Sequence, residues 1–114
     1  MPFVLRGMNM NYKDKRWLRK REYILKRDEY ICQESKRYGK RVTATMVHHI
    51  YPADLYPELR YVDWNLISFS DNKHNGMHDR VTGEITELGK EWQERVKDKF
   101  DAWIQSRKPT PQVN

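Results

Sequence analysis

The chain has little with which to cross-link itself, to bend sharply or to enter a membrane. Of its 114 residues one is cysteine, Cys32, and only five each are glycine and proline. A single thiol excludes an intrachain disulfide and suits a reducing compartment. No apolar run approaches the roughly 18 residues of a membrane span. The opening Met1 to Arg6 has no apolar core of the kind a signal peptide needs. These absences lead us to expect a cytoplasmic protein with no membrane partner. No internal repeat is present, and only the end of the chain is compositionally biased.

What is present is charge and histidine. The length suits one domain, residues 1–108, followed by a disordered tail over 109–114 that contains Pro109 and Pro111. A chain this short buries a limited core, so a bound metal would help to hold it. The net charge of +6 is uneven. Residues 1–42 hold 13 Lys and Arg against 5 acids, whereas residues 43–85 hold 3 against 6. A basic first third beside a mildly acidic middle suits a polyanion partner. A solvated basic helix face is the plainer explanation of the same residues.

All four histidines fall between residues 48 and 78. They come as the adjacent pair His48 and His49, then His74 and His78, with Asn65 between the pairs. Periodicity places them on structure. Residues 15–27 read as a helix, with Trp17, Arg21, Ile24 and Leu25 at helical spacing. Residues 28–38 read as a turn-rich connector, and residues 42–50 alternate as a strand that carries both leading histidines at its end, on opposite faces. Pro52 and Pro57 argue for a long loop over 51–63. Residues 66–69 form a short apolar strand returning against the first. Ser70 is a candidate N-cap for a helix to about residue 80, where His74 and His78 share one face. Residues 87–106 read as one long helix, whose stripe of Leu88, Trp92, Val96, Phe100, Trp103 and Ile104 faces a core.

Taken singly, these features have ordinary explanations. A His-His pair is usually incidental, paired helical histidines can bind zinc purely structurally, and an asparagine before a strand is often a turn residue. In this order, however, the runs His48-His49-Ile50-Tyr51-Pro52, Asn65-Leu66-Ile67-Ser68-Phe69 and His74-Asn75-Gly76-Met77-His78 resemble the HNH (ββα-metal) endonucleases. The wider run from Trp17 through Arg27-Asp28 and Cys32 looks like the small HNH proteins of bacteriophages.

The resemblance implies an α+β fold, in which a ββα-metal (His-Me finger) core of a two-stranded antiparallel hairpin plus helix is flanked by N-terminal and C-terminal helices. It implies a phage-encoded, metal-dependent DNA endonuclease, nicking or cutting both strands and leaving 5′-phosphate and 3′-hydroxyl ends. His49 would be the general base, and His48, His74 and His78 would hold one divalent ion, Mg²⁺, Mn²⁺, Ni²⁺ or Zn²⁺. Asn65 would hold the loop and orient His49. Arg16, Arg19, Lys20, Lys36, Arg37, Arg41 and Arg80 are the candidates for DNA contact. The alternative is a non-catalytic DNA-binding accessory of the phage packaging machinery, with the terminase as partner. One departure from the family stands out. Many members bind a structural zinc through two Cys-x-x-Cys pairs, but here those positions read Cys32-Gln33-Glu34-Ser35 and Ser70-Asp71-Asn72-Lys73. No structural zinc is therefore expected. Cys32 should be a small buried residue, with Lys73 pairing to Glu34 or another nearby acid.

Overall fold

The computed structural model describes residues 10–70, 76–79 and 82–107. The fold is α+β. Helix α1 (Lys15–Arg27) starts where the Asp14 side chain accepts a hydrogen bond from the Arg16 amide, and it buries Trp17, Ile24 and Leu25. Helix α2 is a short piece, Gln33–Arg37. Strands β1 (Met46–His49) and β2 (Leu66–Phe69) pair antiparallel, with His49 opposite Leu66 and His48 opposite Ile67. Helices α3 (Glu87–Arg95) and α4 (Lys97–Arg107) close the described chain.

Both faces of the hairpin are covered, which is why all four residues of β2 are buried. Alternation assigns the faces. Leu66 packs with Trp17 and Ile24 under α1, and the Ser68 hydroxyl points at the Ile24 carbonyl. Ile67 and Phe69 face the larger core with Cys32, Ile50, Leu59, Met77 and Trp92. His49, opposite Leu66, therefore lies on the α1 face. His48, opposite Ile67, lies on the other face, where its ring is 5.1 Å from that of Phe69. The end of α1 also ties down β2: Arg27 donates to the Leu66 carbonyl, and Asp28 accepts from the Ser68 amide at 3.1 Å.

Three sequence expectations are revised by the structure. β1 begins at Met46 rather than residue 42, because the preceding segment pairs elsewhere: Thr43 bridges Ile31, and the Ala44 amide donates to the Tyr30 carbonyl. The left-handed backbone of Glu29 and Tyr30 turns the chain for that pairing (φ 58° and 57°). The long final helix is two helices, since Val96 leaves the helical path at φ −108°, ψ 15°. Leu88, Trp92, Val96, Phe100 and Trp103 of the apolar stripe nevertheless pack inward as expected, with Phe100 stacked on Tyr51 at 4.0 Å.

Third, the expected helix from Ser70 to about residue 80 does not continue through its end. Residues 71–75 and 80 lie outside the described residues, but Gly76 to Asp79 are not helical. His78 instead bridges Ile85 antiparallel. The expected tail over 109–114 also lies outside the described residues.

Candidate active site

His49 sits at the end of β1 and is 9% exposed. Its ring is clasped from two sides. The Trp17 indole stacks on it at 5.2 Å with 22° between planes, and Tyr12 meets both rings edge-on. At the rim, Nε2 lies 3.0 Å from the Arg60 carbonyl oxygen. A carbonyl can only accept, so Nε2 carries the hydrogen and Nδ1 keeps its lone pair. Burial lowers the His49 pKa and the Arg60 carbonyl opposes this, so the ring is neutral at neutral pH.

The loop that presents Arg60 is held by Asn65, which is fully buried. Its Oδ1 accepts from the Tyr51 amide at 2.7 Å, and its Nδ2 donates to the Tyr51 carbonyl at 3.0 Å and the Leu59 carbonyl at 3.1 Å. Asn65 thus staples the two ends of the loop together. It reaches His49 at one remove, through Leu59 and its neighbour Arg60. The hydrogen bond that orients His49 comes from that backbone carbonyl, which the sequence offers no means of seeing.

His48 lies on the other face, and His78 follows Met77, which packs in the core on that face. His78 is held by its bridge to Ile85 and by Thr86, whose amide and hydroxyl both donate to the Met77 carbonyl. The same hydroxyl accepts from Gly89 and so caps α3. Gly89 is needed here because a Cβ would come 2.3 Å from the Met77 carbonyl oxygen. The segment carrying His78 is thus pressed onto the first turn of α3. Burial lowers the His78 pKa, and the Asp54 carboxylate partly offsets this. Imidazole and carboxylate donors of the kind His78 and Asp54 carry suit a divalent transition metal, although among the described residues no three such side chains come together as a metal cluster. His74 lies outside the described residues.

An open groove of about 600 Å³ runs along this site, lined by Tyr12, Trp17, Arg21, Thr45, His48 and His49 among others. The positively charged candidates are distributed unevenly around the molecule. Arg16 lies over the Tyr61 ring, and Arg19, Lys36 and Arg41 are exposed. Lys20 pairs with Asp63 at 2.5 Å, and Arg37 is held by Glu34 and Glu91. Arg80 lies outside the described residues. Tyr12, Arg21, Asp54 and Arg60 were missed from sequence. Only Arg21 carried a signal, four residues from Trp17 on the same face of α1; its guanidinium donates to the Thr45 carbonyl beside the groove.

Cys32, Ser35 and Ser70, three of the four positions where many HNH endonucleases bind a structural zinc, come together with a single thiol. Cys32 is buried, and Ser35 and Ser70 both hydrogen-bond to it. Burial pushes the thiol pKa up, but these bonds outweigh it and the net shift is downward. Serine hydroxyls are poor zinc ligands beside thiolates. Glu34, an expected partner of Lys73, accepts from Trp92 Nε1 at 2.8 Å and pairs with Arg37 at 2.9 Å. Lys73 itself lies outside the described residues.

No family model and no curated sequence matches the chain. A solved structure does: the HNH endonuclease of the deep-sea thermophilic bacteriophage GVE2, crystallised with a manganese ion. It is 26% identical to this chain, the match covers 79% of each chain, and the TM-score is 0.53.

Proposed function

We propose that this chain, which has the HNH endonuclease fold, is a metal-dependent DNA endonuclease of phage type. The observation that carries the reading is the state of His49. Its Nε2 is committed to the Arg60 carbonyl, burial keeps the ring neutral, and Nδ1 is left as a proton acceptor beside an open groove. Those are the requirements of a general base at neutral pH.

His49 Nδ1 takes a proton from the attacking water as its oxygen approaches phosphorus. The resulting imidazolium is stabilised by the Arg60 carbonyl at Nε2, and Trp17 prevents the ring from turning out of line. Asn65 holds the loop so that this carbonyl stays in place. His48, His74 and His78 would hold the divalent ion, with Asp54 close to His78. Such an ion supplies Lewis-acid stabilisation of the phosphate charge and of the departing O3′. The manganese in the phage relative supports a divalent metal for this chain as well.

The test is relaxation of supercoiled plasmid with Mg²⁺, Mn²⁺, Ni²⁺ or Zn²⁺, and with EDTA. Wild type should cut with at least one metal and not with EDTA. His49→Ala should abolish cutting with metal affinity largely kept, whereas His74→Ala should weaken metal binding as well. A wild type that binds DNA but cuts with no metal would replace the enzyme by an accessory DNA-binding protein of the packaging machinery. Cutting by His49→Ala at the wild-type rate would refute its role as base.

A further inference from the structure

Two guanidiniums share one aromatic ring beside the His49 clasp. Arg16 of α1 lies 4.2 Å from the centre of the Tyr61 ring, and Arg60 of the loop lies 5.2 Å from it. Among the described residues neither is ion-paired to a carboxylate, whereas Lys20, Arg27, Arg37 and Arg107 all are. Tyr61 itself packs against the Trp17 cluster, so the shared platform is fixed. Arg60 is steadied further by donating from Nη1 to the Pro57 carbonyl at 2.6 Å.

Two like charges held on one ring, neither ion-paired among the described residues, raise each other's energy. The cation–π contacts offset part of that cost. An anion that accepts from both would remove the rest, and the planar fork of arginine suits phosphate oxygens. Location identifies the anion. Arg16 precedes Trp17, which stacks on His49, and the Arg60 carbonyl binds His49 Nε2. A phosphate held here is therefore within a side chain's length of the residues that fix the base.

We propose that Arg16 and Arg60, presented on Tyr61, form a binding subsite for a backbone phosphate of the nucleic-acid strand, next to the one attacked. Placing the subsite next to the scissile phosphate rests on the nuclease reading above; the binding itself does not. The pair sets the register of the strand on the protein without reading its bases.

The experiment is fluorescence anisotropy of a labelled DNA duplex with the full chain in EDTA, over a series of salt concentrations. Arg16→Gln and Arg60→Gln should each weaken binding roughly tenfold, and the double variant should reduce the salt slope by about 0.9, the one phosphate lost. Tyr61→Phe should bind as wild type does, and Tyr61→Leu should lose several-fold. Lys90→Gln, which removes a cation paired with Glu87 on α3, should change little. Wild-type affinity in both arginine variants, or a wild-type slope in the double variant, overturns the subsite, as does an equal loss in Lys90→Gln, which would mean diffuse attraction. If Arg60→Gln unfolds, Arg16→Gln, on an exposed helix face, decides alone. Failure of these variants to weaken binding leaves the nuclease reading standing. A wild type that cuts with no metal but shows the arginine dependence removes the nuclease reading and keeps the subsite.

Discussion

Replacing Asn65 with alanine tests how the loop over the candidate active site is held. The side chain is fully buried and makes three hydrogen bonds, one to the Tyr51 amide and two to the Tyr51 and Leu59 carbonyls. Each is worth about 1 kcal/mol net, and a buried partner left unsatisfied costs ~1–3 kcal/mol. The variant no longer has to desolvate its own amide, and water entering the space would recover part of the loss. The balance is a destabilisation of about 3 kcal/mol, a large share of the ~5–15 kcal/mol available to a small domain. With a urea m-value of ~1.5 kcal/mol/M, the midpoint should fall by about 2 M. Asn65→Asp should be no better at neutral pH, because a carboxylate cannot donate to the two carbonyls and would sit against them. Under conditions where Asn65→Ala is folded, kcat should fall at least tenfold, since the Arg60 carbonyl next to Leu59 loses its fixed position. A loss of less than about 1 kcal/mol with an unchanged m-value would refute the staple argument.

Other consequences can be checked separately. Trp17→Leu should lower kcat about tenfold with KM nearly constant, while Trp17→Phe recovers most of it; steady-state cleavage of a short duplex reads both. Gly89→Ala should destabilise by more than 2 kcal/mol, although alanine is the better helix former by about 1 kcal/mol, because the new Cβ meets the Met77 carbonyl; calorimetric titration should also show weaker metal binding through the displaced His78. The pKa values of His49 and His78 are both lowered from 6.5, chiefly by burial. Between their folded values and 6.5 the unfolded chain binds more protons than the folded one, so metal-free protein should lose stability as pH falls through that window. The loss is complete below the folded values, and His49→Gln should flatten the urea-midpoint profile. Cleavage should rise with pH through a midpoint below that of a free imidazole if His49 must be neutral.

Much of the fold was legible because local periodicity and burial agree in it. Residues 15–27 carry an apolar face and an aspartate cap, and α1 forms over Lys15–Arg27. The hairpin strands follow from their apolar runs, and the inward stripe of the last segment survives the break at Val96. Two of the errors are non-local. Residues 42–45 alternate like a strand, but the partner that Thr43 takes is Ile31, which no pattern within the segment reveals. Residues 76–79 fall in the helix that the Ser70 N-cap predicts. The Met77 carbonyl instead bonds to Thr86 and rests against Gly89, contacts from a later helix.

The histidines themselves, and the chemistry open to them, were determined by the sequence. Residue identity fixes which atoms can bind a metal or accept a proton, and adjacency on a strand puts His48 and His49 on opposite faces. What suits His49 to the proposed role of base was decided by tertiary structure alone. The indole on its face comes from α1, the carbonyl at Nε2 comes from a loop eleven residues further on, and that loop is closed by an asparagine whose partners are backbone atoms. Tautomer, pKa and ring orientation all depend on groups that become neighbours only when the chain folds, and a main-chain carbonyl looks the same in any sequence.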